Sequence, residues 1–180
     1  MKNRALSMLV KTAMLSAVAF VLLLIEIPGI FPNAPWLQLN VSDLPALLGS
    51  FMLHPLIGAL ITLIKLLLFV LVKGTSSGFV GELSNLLIGI CYTVPAGYIY
   101  YIRRTKGGAL VGLIVGSVCM VLCACLSNDY ILLPFYHIDA AQIPELIWFA
   151  TLPFNAIKAV LTSVLTFLLY KRIHILFEKF

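Results

Sequence analysis

Asn155 and Lys158, in the run Pro153-Phe154-Asn155-Ala156-Ile157-Lys158, are polar residues set in a stretch of almost wholly apolar sequence. Three positions is close to one helical turn, so both side chains project from one face. An amide offers two donors and two acceptor lone pairs and an ammonium offers three donors, a set that suits an uncharged, carbonyl-rich heterocycle or a polyol. The competing reading is structural, an ion pair of Lys158 with Glu82 or Glu26. Glu82 and Asn85, in Gly81-Glu82-Leu83-Ser84-Asn85, repeat the same spacing. They either join the same site or form a polar helix start that faces water. Lys65 stands in the middle of an apolar run and needs a partner, whereas Glu26 lies near the end of one and can reach water at an interface.

Catalytic patterns are missing. His54, His137 and His174 belong to different segments, and the sequence holds no His-Glu-x-x-His, no phosphate-cradling glycine loop and no Ser-His-Asp arrangement. Cys91, Cys119, Cys123 and Cys125 contain no Cys-x-x-Cys pair and all fall in apolar segments, which makes them packing residues and gives no metal or redox role.

The elements that must carry these residues are membrane helices. Hydrophobic residues make up 62% of 180 positions and charged residues 11%, with a mean hydropathy of +1.08. Such a composition leaves no polar surface for a water-soluble fold. The expectation is an all-α integral membrane protein, one transmembrane domain of six helices over approximately 5–27, 43–53, 56–72, 80–102, 109–126 and 144–170, with no room for a separate catalytic domain. The basic start followed by an apolar run is like a secretory signal, but no small-residue cleavage site precedes Glu26-Ile27-Pro28, so it is taken as a retained first helix.

Prolines and glycines set the breaks. Pro28-Gly29 and Pro32-Asn33-Ala34-Pro35 end the first helix and open a long loop. There Trp36 to Val41 alternates like a short strand, and Ser42 is placed to cap a second, short helix with Asp43 in its first turn. The longest polar loop is expected from Ser127 to about Gln142, and Pro153 is expected to break or kink the last helix. The scattered glycines, Gly116-Ser117 among them, fit close helix packing. No internal repeat is present, which argues against an inverted-repeat transporter.

A net charge of +5 does not point to nucleic acid, because Lys2, Arg4, Lys11, Arg103, Arg104, Lys106, Lys171, Arg172 and Lys179 cluster between apolar segments and fall on one side when six spans are drawn. The positive-inside rule makes that side, with both termini, cytoplasmic and turns the two elaborate loops outward.

These runs together resemble the substrate-binding S components of energy-coupling factor (ECF) vitamin transporters, closest to the riboflavin-specific group. The resemblance covers nearly the whole chain and rests on Leu39-Asn40-Val41-Ser42-Asp43-Leu44-Pro45-Ala46-Leu47, Gly81-Glu82-Leu83-Ser84-Asn85, Ser127-Asn128 with Pro134 and Tyr136, and Pro153-Phe154-Asn155 with Lys158. It implies a six-helix S-component fold in the cell membrane that binds riboflavin on the outer side. It also implies no cofactor and no enzymatic activity, with delivery driven by an ECF transmembrane coupling subunit and two ABC-type ATPase subunits. By resemblance, Asn128, Asn155 and Lys158 match flavin-contacting positions and Leu39 and Asn40 the covering loop. Ala13 and Ala17 match a small-xxx-small pair that meets the coupling subunit; packing inside the chain is the other reading. Trp36, Phe79, Tyr130, Phe135, Trp148 and Phe149 offer flat apolar walls, or else an interfacial belt. Open alternatives are an S component for another vitamin or flavin analogue, a small membrane enzyme and a helical scaffold subunit.

The charge count carries its own test. A cysteine placed at Thr105, on a background without the four native cysteines, should react with a membrane-impermeant thiol reagent only after intact cells are opened; labelling from outside would invert the topology.

Overall fold

The computed structural model describes residues 2–27, 31–75 and 77–178, excluding the side chains of 2–4 and 173–178. Pro28-Gly29, expected to break the first helix, and Lys179 lie outside the described residues, as do the side chains of Lys2, Arg4 and His174. The principal elements are α1 (Lys2–Leu24), α2 (Asp43–Met52), α3 (Pro55–Lys73), α4 (Val80–Ile102), α5 (Lys106–Ser127) and α6 (Leu152–Glu178). Among the described residues, five apolar helical runs are long enough to cross a membrane. The exception is α2, whose 10 residues reach about 15 Å at 1.5 Å per residue, half a hydrocarbon core. All of α2 from Asp43 to Phe51 is buried, packed against α1, α3, α4 and α6.

Burial is inverted relative to a soluble protein. Leu9, Leu71, Leu122, Val160 and Leu168 point outward, while Ser16, Thr62, Thr93, Thr162 and Thr166 are buried. Outside lies lipid, as apolar as leucine, so close packing and internal hydrogen bonding hold the helices together. Most of those hydroxyls bond back one turn, as Thr62 Oγ1 donates to Gly58 O at 3.0 Å and Thr93 Oγ1 to Gly89 O at 2.8 Å. Others tie helices together. Tyr92, fully buried, donates from α4 to Ala159 O of α6 at 2.9 Å, and Ser50 Oγ donates from α2 to Thr93 O at 2.7 Å.

The α4–α5 crossing depends on missing side chains. A Cβ on Gly112 would stand 2.6 Å from Ala96 O, and one on Gly116 would stand 2.7 Å from Tyr92 O. Both obstacles are backbone, so neither helix could yield without moving as a body.

Proline handling departs from expectation. α5 does not end in a loop at Ser127 but continues through a π-helical turn (Asn128–Leu132) into a last α turn (Leu133–Phe135). Likewise, α6 is approached through Ile143–Leu146 and a second π turn (Ile147–Thr151). Each π turn comes just before a Leu-Pro pair, Leu133-Pro134 and Leu152-Pro153. A proline clashes with the carbonyl four residues back and cannot donate to it. Those carbonyls belong to Tyr130 and Phe149, inside the widened turns, where the ladder has already shifted to i→i+5. The chain passes Pro153 without a break. α1 stops at Leu24, short of Ile27, because Ile27 is drawn into an isolated antiparallel bridge with Leu39. That bridge, with N–H···O bonds of 2.8 and 3.0 Å, is all that the strand-like alternation produces among the described residues.

Gly116→Leu should therefore lower stability by about 1–3 kcal/mol, the usual cost of overpacking. Thermal unfolding in detergent should show it, while Gly107→Leu, whose Cβ would meet nothing closer than 3.9 Å, should leave the midpoint nearly unchanged.

Candidate functional site

The end of α1, the start of α2, the end of α3, the start of α4, the end of α5 and the start of α6 gather at one end of the bundle, opposite Arg103, Arg104, Lys171 and Arg172. Two chambers open there. The inner one, of about 120 Å³, is lined among others by Asn40, Asn85, Asn128, Asn155 and Lys158. The outer one, of about 310 Å³, is lined by Glu26, Glu82, Lys73 and Phe69 among others. Leu23, Glu26, Trp36, Gln38, Gly81, Asn85 and Tyr136 line both, so the chambers form one cleft.

Of the sequence candidates, Asn40, Asn85, Asn128, Asn155 and Lys158 thus come together in the inner chamber, from four separate segments. Glu82 lines only the outer one, where its Oε2 accepts from Thr75 Oγ1 at 3.0 Å and Ser77 Oγ at 2.8 Å. Leu39 lines neither; its backbone holds the bridge to Ile27. Ala13 and Ala17 are remote from the cleft and exposed, while Thr12, Leu15, Ser16 and Ala19 turn the other face of α1 inward. Both alanines thus sit on the outward face of α1. Among the proposed aromatic walls only Trp36 lines the cleft; Phe79, Tyr130, Phe135, Trp148 and Phe149 are exposed. The other rings there are Phe69, Tyr136 and Phe154, with Trp36 and Tyr136 5.6 Å apart between centroids.

The ion pairs differ from the pairings offered by the sequence. Lys158 pairs neither with Glu82 nor with Glu26 but with Asp43 Oδ2, at 3.1 Å. Lys65 finds its partner in Asp43 Oδ1 and also donates to Ser42 Oγ at 2.9 Å. Glu26 pairs with Lys73 at 3.0 Å, and the Gln38 amide, turned with its nitrogen toward the carboxylate, donates to Glu26 Oε2 at 2.8 Å. Ser42 occupies the N-cap position of α2 but makes no capping bond; its hydroxyl donates to Asn40 Oδ1 at 2.8 Å. Asp43, read from sequence as a helix-dipole acid, is instead the counter-ion of two buried lysines. The signal that would have found it is charge balance: two ammoniums inside apolar helices require a carboxylate at the same depth.

Two buried polar atoms on the inner chamber have no protein partner, Asn128 Oδ1 and Trp36 Nε1. Asn128 is held by its own nitrogen, which donates to Ala124 O at 2.8 Å, and Asn155 is held likewise through Thr151 O at 2.8 Å. Each asparagine is thus anchored one turn back. An unpaired buried acceptor and an unpaired buried donor, on residues that line one cavity, are costly until their missing bonds are supplied. Rings and amides on the wall with an ammonium at the floor suit a flat, polar-edged ligand. Among the described residues no cluster of three metal-binding side chains occurs.

Comparison with known proteins identifies the family. The family described as "ECF transporter, substrate-specific component" matches residues 7–170. The chain is 34% identical over 171 residues to the riboflavin transporter RibU of Staphylococcus aureus, covering 92% of this chain and 89% of that protein. It is 30% identical to the riboflavin transporter FmnP of Bacillus subtilis, over 90% of this chain and 89% of the other. A solved structure, described as the structure and mechanism of the S component of a bacterial ECF transporter, superposes with a TM-score of 0.79 at 33% identity, covering 96% of each chain. A six-helix membrane fold with a lined cleft at its loop-rich end and a match over nearly its whole length place this chain among the substrate-specific S components of ECF transporters.

Proposed function

We propose that this multi-pass membrane protein captures riboflavin in the cleft, on the outer side of the cell membrane, and delivers it with an ATP-driven module. That module comprises an ECF transmembrane coupling subunit and two ABC-type ATPase subunits. The observation that carries the reading is the inner chamber, lined by aromatic rings, by Lys158, and by Asn128 and Trp36, whose buried amide oxygen and indole N–H have no protein partner. An isoalloxazine ring has a flat apolar body and an imide edge that both donates and accepts, the complement of that wall. The names of the relatives at 30% and 34% identity support the same ligand. The cleft lies at the end opposite the basic residues, which the positive-inside rule assigns to the cytoplasm. Asn40, Asn85, Asn128, Asn155 and Lys158 are the ligand-facing polar residues in this reading. Leu39 acts through its backbone, holding the covering loop to the end of α1, and Glu82 holds the α3–α4 loop at the mouth through Thr75 and Ser77.

Riboflavin fluorescence should be quenched on titration into the detergent-purified protein. Asn155→Ala and Lys158→Ala should each weaken binding by about 1–3 kcal/mol, since each removes a hydrogen-bonding partner from a buried ligand group. His174→Ala, far along α6, should not. Quenching that is absent while another vitamin binds would keep the family and replace the ligand; equal affinities for all three variants would move the site.

Ala13 and Ala17 serve docking in this proposal. Four residues apart on the exposed face of α1, they leave a shallow groove in which a partner helix can approach closely. Replacing both with Trp should abolish co-purification with the coupling subunit and uptake by cells, with flavin quenching by the isolated subunit unchanged. Loss of quenching together with docking would rule out the separate docking role.

A further inference from the structure

Lys65 does not line the cleft, yet two chains of contacts run from its ammonium to groups that do. One passes through Asp43, which takes Lys65 on Oδ1 and Lys158 on Oδ2. The other passes through Ser42, whose Oγ accepts from Lys65 at 2.9 Å and donates to Asn40 Oδ1 at 2.8 Å. Lys158 and Asn40 both line the inner chamber.

The direction of every bond in these chains follows from the lysine. An ammonium has three donors and no acceptor, so Ser42 Oγ must accept from it and can spend its single hydrogen only on Asn40. Asn40 Oδ1 also accepts from the Ser42 backbone N–H at 3.2 Å. The oxygen of the Asn40 amide is thereby committed inward, and its Nδ2, whose one protein contact is a long 3.5 Å approach to Gln38 O, is left to donate. On the other chain the Asp43 carboxylate draws one N–H of Lys158, and the remaining donors are free for the chamber.

We propose that Lys65 is a positioning residue that sets the hydrogen-bond polarity of the site, making the Asn40–Lys158 side of the chamber donor-only. Asn128 Oδ1 then supplies an acceptor on the same chamber. The ligand class this selects carries acceptors toward Asn40 and Lys158 and an N–H or O–H toward Asn128, as an imide or ureide edge does. The inference rests on the riboflavin reading for its probe.

Lys65→Met leaves Asp43 and Lys158 as a balanced pair, so the fold should survive. The Ser42 hydroxyl would then be free to turn. Riboflavin affinity, measured by quenching, should fall tenfold or more in this variant. Ser42→Ala, which cuts only the Asn40 chain, should give a smaller loss, and the double variant should bind no more than about twofold worse than Lys65→Met alone, because both changes break the same chain. Losses that multiply in the double variant, or a folded Lys65→Met within twofold of the parent, would overturn the proposal. Should Lys65→Met fail to fold, Asn40→Asp decides: it replaces the donor with an acceptor at unchanged size, and it must lose affinity at least tenfold. Undiminished binding by Asn40→Asp would refute a donor at that position. If the unsubstituted protein fails to quench riboflavin, the ligand reading fails and this proposal falls with it. If it quenches and the variants match it, this proposal alone fails.

Discussion

One buried carboxylate holds the loop-rich half of this protein together. Asp43 stands at the start of a helix too short to cross a membrane, and it receives Lys65 from α3 and Lys158 from α6. Removing an ion from water costs several kcal/mol even after relaxation, so neither lysine could sit at this depth without a counter-charge, and the carboxylate could not remain ionised without them. Three helices distant in sequence are thereby obliged to meet at one point. That obligation brings the start of α2 beneath the covering loop and places Asn40 and Lys158 on one chamber.

Around that point the bundle follows the physics of lipid rather than of water. No hydrophobic force drives apolar helices together when the solvent is itself apolar. What remains is close approach, supplied at the α4–α5 crossing by Gly112 and Gly116, and hydrogen bonding, supplied by Tyr92 and Ser50 across helices. These contacts sit toward the middle and the basic end of the bundle. The loop-rich end is left to carry the cleft, where Asn128 and Asn155 are each held by a bond one turn back.

The two π turns belong to the same economy. Each widens the helix just before a proline and each lies beside an asparagine of the chamber, Asn128 opening the first and Asn155 following the second. A regular helix through Pro134 or Pro153 would clash with the carbonyl four residues back. The widened turn removes the clash, so the chain stays helical beside both asparagines.

Much of this was legible in the residues alone, because the bilayer imposes rules that a linear pattern obeys. Apolar run length gives the spans, whereas the prolines did not all mark breaks, since the chain stays helical through Pro134 and Pro153. Asn155 and Lys158 stood out because polar groups in a span need a reason, and with the resemblance to ECF S components Asn128 and Asn40 joined them. What the linear pattern could not decide is which ion meets which. Lys158 had Glu82 and Glu26 as visible partners, and Asp43 looked like an ordinary first-turn acid, because depth in the membrane and proximity between distant helices are properties of the packed bundle. The same holds for the wall of the cleft, where Trp36 came from the expected aromatics while Tyr136 and Phe154 did not, and for Ser127, where a polar triplet that reads as a loop continues as helix. Sequence determined which groups must be satisfied within the bilayer; only the tertiary structure decided what satisfies each one, since a hydrogen bond or an ion pair is settled by ångströms that no spacing along a chain encodes.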